Sequence, residues 1–309
     1  MHDEPDDLAA LLDRVPGWAG LRRTVRPLVG GITNRNWLVS VADERFVVRC
    51  PGEGTEVLGI DRDEEWEAAT RAADLEVGPE VVAFVDGSLV TRYVDDAQPL
   101  SPEALQSNGI LAAAADILRR THDGPPIGAV FDWYAVPAQY AGTARERGVR
   151  VPAAYDDAMG RAEEVRRAFA VAPDPPVPAH NDLLGANFLL GHDQRLWLID
   201  WEYAGMNDRF FDLGNFAVNN GLDDAAEEAL LEGYFGDVTF GRVARLRLMK
   251  VMSDLREAMW GVVQQAVSTL DVDFEAYAAE HFDRLLSNAG RRGWSRLLAD
   301  AASGCGLDD

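Results

Sequence analysis

Between residues 24 and 94 the chain carries short apolar runs separated by turn residues, a pattern typical of β-strands. Strands are predicted over residues 24–29, 36–41, 45–49, 80–85 and 88–94. Residues 6–15 have the apolar spacing of a short helix, and residues 61–75 have that of a longer one. The pair Asp86-Gly87 is a preferred hairpin turn between the last two strands. The pattern therefore predicts a small antiparallel sheet with one prominent helix.

After Ser101 the apolar spacing becomes helical over most of the chain. Ser101-Pro102-Glu103 combines an N-cap residue, a first-position proline and an acid that the helix dipole favours. Helices are predicted over residues 102–121, 152–170, 223–235, 241–269 and 272–288. A short β-like patch interrupts them at residues 187–190 and 195–199.

The change from one pattern to the other places a domain boundary between Asp95 and Asp96. We therefore predict an α+β fold with a sheet domain at residues 1–95 and a helical domain at residues 96–309. Ligands favour clefts at such boundaries.

Charge narrows the range of expected partners. The net charge is −23, from 29 basic and 52 acidic residues, and such a surface repels phosphate backbones and anionic lipid headgroups. We therefore expect neither nucleic acid nor membrane as a partner, whereas a cationic small molecule is compatible with this charge. No apolar run approaches the roughly 18–20 residues of a membrane span, and the acidic start lacks a secretory signal pattern. With only Cys50 and Cys305, a disulfide framework is excluded, and we expect a cytoplasmic protein.

The strongest chemical signal is the segment His180-Asn181-Asp182, which is followed by Asn187 and later by Asp200. Phosphoryl transfer needs a group that orients the hydroxyl nucleophile and oxygen ligands that hold Mg²⁺ on the phosphates. Asp182, on a loop, suits the first task. Asn187 and Asp200 suit the second, because Mg²⁺ prefers hard oxygen ligands and takes few carboxylates. The alternative interpretation is a polar hairpin with capping residues.

This segment resembles the aminoglycoside phosphotransferase and choline kinase superfamily, whose members are related to protein kinases. The stretches that look most like bacterial choline/ethanolamine kinases are Gly30-Gly31-Ile32-Thr33-Asn34-Arg35-Asn36, Ile199-Asp200-Trp201-Glu202-Tyr203-Ala204-Gly205, Phe211-Asp212-Leu213-Gly214-Asn215 and Trp260-Gly261-Val262-Val263-Gln264. The similarity extends from about residue 26 to residue 285. It implies a protein-kinase-like bilobal fold, with a small antiparallel-sheet N-lobe that binds the nucleotide. The larger, mainly helical C-lobe would carry the catalytic loop and the metal and acceptor sites.

The resemblance implies a role for each matching residue of the catalytic segment. Asp182 is the expected catalytic base, and Asn187 and Asp200 are the expected metal ligands. Asp212 is expected to brace the loop by accepting backbone hydrogen bonds, and His180 is expected to support it without transferring protons.

The nucleotide is expected in the sheet domain. The residues expected to offer donors to its phosphates are Gly30, Gly31, Thr33 and Asn34. Taken alone, this segment is typical of a simple hairpin turn. Arg49 stands where kinases carry a phosphate-binding lysine, and its forked guanidinium suits phosphate oxygens. Glu65 is the expected partner that holds Arg49 in place.

The acceptor site is expected to be aromatic, because cationic ammonium groups bind aromatic faces and nearby carboxylates. Tyr203, Glu257 and Trp260 are the candidates. In choline kinases the corresponding helix offers two aromatic residues, whereas this chain has Glu257 at one of those positions. The alternative for Trp260 is ordinary core packing on a long helix.

Together these features predict a kinase that uses ATP and Mg²⁺ to phosphorylate a hydroxyl group of a small cationic molecule. Choline or ethanolamine is the first expectation, and thiamine and aminoglycosides are alternatives within the class. A catalytically silent nucleotide-binding regulator of the same fold is the alternative from another class. The presence of Asp182, Asn187 and Asp200 together favours the enzyme. Nothing in the pattern indicates a particular oligomeric state.

Overall fold

The structure is a computed structural model that describes residues 5–28, 34–52 and 54–304. The helices are α1 (Asp6–Leu12), α2 (Arg62–Asp74), α3 (Pro102–Leu105), α4 (Asn108–His122), α5 (Val136–Glu146), α6 (Ala154–Phe169), α7 (Arg209–Asn219), α8 (Asp224–Phe235), α9 (Phe240–Val267), α10 (Phe274–Ala289) and α11 (Trp294–Ala302). The strands are β1 (Arg23–Leu28), β2 (Asn34–Val41), β3 (Glu44–Pro51), β4 (Val81–Val85), β5 (Ser88–Arg92), β6 (Gln98–Pro99), β7 (Val177–Ala179), β8 (Phe188–Leu190), β9 (Leu196–Leu198) and β10 (Gly205–Asn207). Short 3₁₀ helices cover Thr55–Leu58 and Gly185–Asn187.

These elements divide into two compact units. The first unit takes in Met1–Gln98 and Leu189–Glu202, and the second takes in Pro99–Phe188 and Tyr203–Asp309. The domain boundary predicted at residue 95 places Leu189–Glu202 in the helical domain. In the structure this segment belongs to the first unit. This segment joins the first unit because the backbone N–H of Leu198 donates to the carbonyl oxygen of Val77 at 2.8 Å. The predicted α+β fold, with an antiparallel sheet followed by a mainly helical remainder, is confirmed.

The first unit is built on a five-stranded antiparallel sheet with the order β1-β2-β3-β5-β4. β4 and β5 are joined at Asp86 and Gly87, whose φ angles are 49° and 75°. A two-residue hairpin turn needs positive φ at both central positions, which the predicted Asp-Gly pair supplies at low cost.

One face of this sheet packs against α1 and the turn that follows it. The buried residues that form this core are Leu8, Leu12, Val15, Trp18, Val39, Val41, Phe46, Val48, Cys50 and Val90. Because successive side chains of a strand point to opposite faces, Val48 and Cys50 enter this core and Arg49 lies on the other face of β3. The alternation of β3 thus separates the apolar core of the unit from its charged residues.

The second unit is arranged around α9, a 28-residue helix that packs against α5, α7, α10 and α11. Almost every position from Gly241 to Gln264 is buried. At Gly214 of α7, an added Cβ would lie only 2.6 Å from the backbone nitrogen of Lys250, so glycine allows α7 and α9 to approach closely. Among the described residues, no helix is long and apolar enough to cross a membrane.

The structure differs from the sequence prediction in several helices. The helix predicted over residues 102–121 is divided into α3 and α4, because Ser107 occupies the N-cap position of α4 and its hydroxyl donates back to Ala104 O at 2.9 Å. Three helices were not predicted, namely α5, α7 and α11. α5 has a proline in its first turn, and the middle of α7 contains Asp212, Gly214 and Asn215, which have low helix propensity.

Asp208 caps α7 and gives the second unit a pH-dependent stability. Its Oδ1 accepts a hydrogen bond from the backbone N–H of Phe210 at 2.8 Å, and burial raises the pKa of Asp208 to about 6. The folded state therefore binds this proton more tightly than the unfolded chain, so the stability it contributes is full below about pH 4 and is lost as pH rises through 6. Asp208→Asn keeps the cap without the charge, and we expect it to raise the free energy of unfolding by about 1–3 kcal/mol at pH 8. Urea unfolding at pH 8 and towards pH 4 measures this gain, which should shrink at the lower pH.

Asp223→Asn is the matched control for this experiment. Asp223 caps α8 by accepting from the backbone N–H of Ala226 at 2.9 Å, but its side chain is exposed. Its replacement should change stability little at either pH. A gain for Asp208→Asn that is equal at both pH values would contradict the role of a buried charge.

Candidate active site

Asp212 holds the start of the loop that contains Asp182. The loop follows β7, and the Asp212 carboxylate on α7 accepts hydrogen bonds from the backbone N–H groups of His180 at 2.8 Å and Asn181 at 2.7 Å. His122 of α4 contacts the same carboxylate, with Nε2 3.1 Å from Oδ2. Burial opposes the charge of Asp212, but its interactions with His122 and His180 lower the pKa of Asp212 below the ordinary value. The carboxylate therefore remains ionised while it accepts these bonds.

Two amide side chains, on α7 and directly after it, extend this bracing to Leu183. The backbone N–H of Leu183 donates to Asn215 Oδ1 at 2.5 Å, and its carbonyl oxygen accepts from Asn220 Nδ2 at 3.0 Å. Asn215 also donates to the Ser253 hydroxyl oxygen at 2.9 Å. The sequence pattern predicts no role for either asparagine. The available signal was the spacing of Asp212 and Asn215, which lie three positions apart and therefore on one face of a helix.

Asn181 turns the backbone immediately before Asp182. Its φ of 66° lies in the left-handed region, which asparagine adopts more readily than most residues. Its side chain is fully buried, with Nδ2 donating to Tyr203 O at 2.9 Å and Oδ1 accepting from Asn207 Nδ2 at 2.7 Å. The sequence pattern predicts no function for Asn181. Backbone strain of this kind persists only where the surroundings enforce it, and it is common at functional sites.

Asp182 and Asn187 contact each other across the loop. Asn187 Nδ2 donates to Asp182 O at 2.8 Å, which fixes the amide so that its oxygen is the atom that remains for a cation. The side chain of Asp182 is 13% exposed, and its Oδ1 accepts from Arg256 Nη1 at 3.2 Å. His180 Nδ1 accepts from the backbone N–H of Asp182 at 3.3 Å, so the imidazole contacts the loop backbone.

In the first unit, Arg49 is the centre of a charged cluster. Its Nη2 donates to Asp200 Oδ1 and, at 2.9 Å, to Glu202 Oε2, and its Nε lies 3.3 Å from Glu65 Oε1. Arg62 Nη1 donates to Glu65 Oε2 at 2.6 Å. Burial opposes the charge of Arg49, but the attraction of Asp200, Glu65 and Glu202 raises the pKa of Arg49 above its ordinary value. The guanidinium therefore stays charged and is held by three carboxylates.

Glu202 is a member of this cluster that the sequence analysis did not single out. Besides Arg49, it accepts from Asn34 Nδ2 at 2.9 Å and lies 3.4 Å from Arg62 Nη1. Its side chain is only 4% exposed. The available signal was its spacing two residues after Asp200.

The nucleotide-binding residues predicted between β1 and β2 are only partly described. Asn34 begins β2 and contacts the Arg49 cluster through Glu202. Gly30, Gly31 and Thr33 lie outside the described residues.

The three residues predicted for the acceptor site lie together in the second unit. Trp260 Nε1 donates to the Tyr203 hydroxyl at 3.0 Å, and both side chains are buried. Glu257, one turn before Trp260 on α9, uses both carboxylate oxygens. Its Oε1 lies 2.5 Å from Arg256 Nη1, and its Oε2 accepts from the Tyr277 hydroxyl at 2.8 Å. The charge of Glu257 is therefore balanced by a neighbouring guanidinium.

The structure thus brings the described site residues together as two groups, one in each unit. The group in the first unit consists of Asn34, Arg49, Glu65 and Asp200, and the group in the second consists of His180, Asp182, Asn187, Tyr203, Asp212, Glu257 and Trp260. Glu202 and Arg62 join the first group, and Arg256 joins the second.

Comparison with known proteins identifies the family. The profile described as APH, phosphotransferase enzyme family, matches residues 24–247. The crystal structure of a choline/ethanolamine kinase family protein from Mesorhizobium loti is 33% identical, with a TM-score of 0.82, and the match covers 97% of this chain and 99% of that one.

Two further relatives agree with this assignment. Protein LicA of Haemophilus influenzae is 29% identical over 270 residues, which cover 82% of this chain and 77% of LicA. A probable ethanolamine kinase of Arabidopsis thaliana is 25% identical over 287 residues, which cover 82% of this chain and 76% of that protein. The kinase-like fold implied by the sequence resemblance is confirmed. The chain belongs to the phosphotransferase enzyme family, and within it the chain is similar to the choline and ethanolamine kinases.

Proposed function

We propose that this protein is an ATP-dependent kinase that transfers the γ-phosphate to a hydroxyl group of a cationic amino alcohol such as choline or ethanolamine. The main support is the loop over residues 180–187, which Asp212, Asn215 and Asn220 hold by hydrogen bonds to its backbone. Phosphoryl transfer depends mainly on positioning, so a firmly held loop suits the task. A catalytically silent regulator has no need of such support.

Asp182 is proposed as the residue that meets the acceptor. It orients the hydroxyl group and takes its proton as the oxygen attacks the γ-phosphorus. The contacts of the loop backbone with Asp212 and His180 keep Asp182 in place during this step.

Asn187 and Asp200 are proposed to hold Mg²⁺. They offer an amide and a carboxylate oxygen, the hard ligands that Mg²⁺ prefers, and the amide of Asn187 is oriented by its bond to Asp182 O. Asp200 forms an ion pair with Arg49, and its side chain is 25% exposed. When bound, the metal supplies positive charge that neutralises the phosphate oxygens.

Arg49 and Asn34 are proposed to bind the phosphates of ATP, together with Gly30, Gly31 and Thr33. The Arg49 guanidinium presents a fork of donors suited to phosphate oxygens. Glu65 and Glu202 hold that guanidinium in place from the protein side.

Tyr203 and Trp260 are proposed to bind the cationic end of the acceptor through their aromatic faces. Of the three predicted acceptor residues, Glu257 is the most buried, and its two oxygens already have partners. The aromatic pair is therefore expected to contribute more to cation recognition than the Glu257 charge.

A coupled ADP-release assay across amino alcohols, thiamine and aminoglycosides tests this proposal. We expect turnover with a cationic amino alcohol and none with an isosteric neutral alcohol. Turnover with thiamine or an aminoglycoside alone would move the protein to another substrate class. Nucleotide binding without turnover on any of these acceptors would favour a silent regulator.

Trp260→Leu is expected to raise the KM for the best cationic acceptor by about 5- to 30-fold, the scale of a cation–π contact. The KM for ATP should stay the same, because Trp260 contacts Tyr203 and the α10 aromatics Phe274 and Tyr277. Steady-state kinetics with each substrate varied in turn measure both constants.

Trp294→Leu is the matched control for this substitution. Trp294 is also buried, and its Nε1 donates to Glu164 Oε2 at 2.6 Å. We expect this variant to lose stability without a change in acceptor KM. An unchanged acceptor KM for a folded Trp260→Leu variant would remove Trp260 from the acceptor site.

A further inference from the structure

Arg256 is a buried arginine of α9 that contacts the proposed catalytic base. Its side chain is 2% exposed, and its Nη1 donates to Asp182 Oδ1 at 3.2 Å. The guanidinium carbon lies 4.3 Å from the centre of the Tyr203 ring, which covers one face of the cation. The sequence pattern predicts no function for Arg256, because the residue is 74 positions away from Asp182 along the chain.

Glu257 contacts Arg256 through the same Nη1 atom that donates to Asp182, and Tyr277 in turn holds Glu257. Glu257 Oε1 accepts from Arg256 Nη1 at 2.5 Å, and Glu257 Oε2 accepts from the Tyr277 hydroxyl at 2.8 Å. Burial and the charge of Glu257 raise the pKa of Tyr277, so its hydroxyl keeps the proton that it donates. A continuous chain of contacts therefore runs from Tyr277 on α10, through α9, to Asp182.

Arg245, on the same helix, provides a comparison with an arginine that serves the fold. It is also fully buried, and each of its side-chain nitrogens has a partner. Nε donates to Ala301 O at 3.2 Å, Nη1 donates to Asp174 Oδ2 at 3.2 Å, and Nη2 donates to Ala172 O. Buried polar groups usually have partners of this kind.

Arg256 is bonded differently. Within the part of the chain that the structure describes, neither Nε nor Nη2 of Arg256 has a hydrogen-bond partner. A buried donor without a partner costs free energy, so an arginine retained for stability alone would use more of its nitrogens. Nη1 of Arg256 instead donates both hydrogen bonds, one to Asp182 and one to Glu257, whose charge neutralises the guanidinium.

We propose that Arg256 is a positioning residue for phosphoryl transfer, held by Glu257 and Tyr277, which fixes the carboxylate of Asp182. This inference rests on the proposed function, since Asp182 needs a fixed orientation only if it meets an acceptor hydroxyl. It also assigns Glu257 to the support of the base and not to contact with the acceptor amine.

Arg256→Lys and Arg256→Met test this role in the full-length chain. Lysine keeps the charge but lacks the planar guanidinium that lies over the Tyr203 ring, and methionine keeps only part of the volume. We expect kcat to fall by about 10-fold for lysine and about 100-fold for methionine, because small displacements of a catalytic group have effects of this size. The KM for ATP should stay within about twofold of the wild-type value, since Arg256 has no part in the Arg49 cluster.

Chemical rescue separates positioning from folding. Arg256→Ala leaves space beside Asp182, and guanidinium chloride at a concentration that does not unfold the protein should restore part of kcat. Arg245→Lys is the matched control, which should lower the melting temperature without lowering kcat or responding to guanidinium.

Glu257→Gln provides a second test should the Arg256 variants fail to fold. Glutamine keeps the shape of the side chain but lacks the charge that holds Arg256, so kcat should fall with the acceptor KM unchanged. A rise in the KM for an amine with unchanged kcat would mean that Glu257 contacts the acceptor, and the inference would be wrong. Wild-type kcat in folded Arg256→Lys and Arg256→Met would overturn it as well. An inactive wild-type protein on every acceptor would instead reject the proposed function, and the role of Arg256 with it.

Discussion

Asp182→Asn is expected to lower kcat by about 10² or more, because an amide cannot take the proton of the acceptor hydroxyl. Asparagine has nearly the same shape, and Asp212 braces the loop through backbone groups, so the loop should keep its conformation. The KM for ATP should therefore change by less than about twofold. Coupled ADP-release kinetics with the best acceptor measure both constants, and the melting temperature verifies that the variant is folded.

Asp193→Asn is the control for this substitution. Asp193 is exposed in the turn between β8 and β9, and its Oδ1 accepts from the backbone N–H of Arg195 at 3.1 Å. The control should retain wild-type kinetics, whereas Asp200→Ala should weaken binding of the Mg²⁺–nucleotide complex. Wild-type turnover by Asp182→Asn would show that another group is the base.

Arg49→Ala is expected to destabilise the first unit by about 3–5 kcal/mol, the scale for removing one partner from a buried ion cluster. The substitution removes the ion pair of Asp200 and leaves Glu65 and Glu202 with Arg62 as their guanidinium partner among the described residues. Glu65 and Glu202 have side chains that are each 4% exposed, so both carboxylates lose a charged partner in a buried position. Urea unfolding measures the loss of stability.

Arg92→Ala is the matched control, because Arg92 lies on the same sheet and pairs with the two carboxylates of Glu44 and Glu80, but is 41% exposed. Its removal should cost less than about 1 kcal/mol, as is usual for surface ion pairs. Equal losses for the two variants would contradict the importance of burial in the Arg49 cluster. Arg49→Lys keeps the charge, so this variant should fold and show a raised KM for ATP.

Features that depend on residues close together along the chain could be predicted from the sequence. The antiparallel sheet follows from short apolar runs, and the Asp86-Gly87 turn follows from the conformations these residues prefer. The loop at residues 180–187 was recognisable because the identities and spacing of Asp182 and Asn187 carry the chemistry. Local backbone preference and motif spacing are properties of short segments, and a single sequence contains them in full.

Features that depend on contacts between residues far apart along the chain could not be predicted in this way. α7 was not predicted because Asp212, Gly214 and Asn215 in its centre have low helix propensity, and packing against α9 stabilises it as a helix. The contact of Glu202 with Arg62 depends on the fold, because Leu189–Glu202 returns to the first unit and brings the two side chains within 3.4 Å. The sequence allowed Glu257 a free carboxylate, whereas the structure pairs it with Arg256 and Tyr277.

The sequence by itself therefore determined the α+β fold, the family and the residue types of the proposed chemistry. Tertiary structure alone decided which charges neutralise one another and which side chains hold the catalytic loop. The physical reason is that the charge state and orientation of a buried group depend on neighbours within a few ångströms. For Asp182, that neighbour is Arg256, which lies 74 positions along the chain and contacts it at 3.2 Å only because α9 packs in the centre of the second unit.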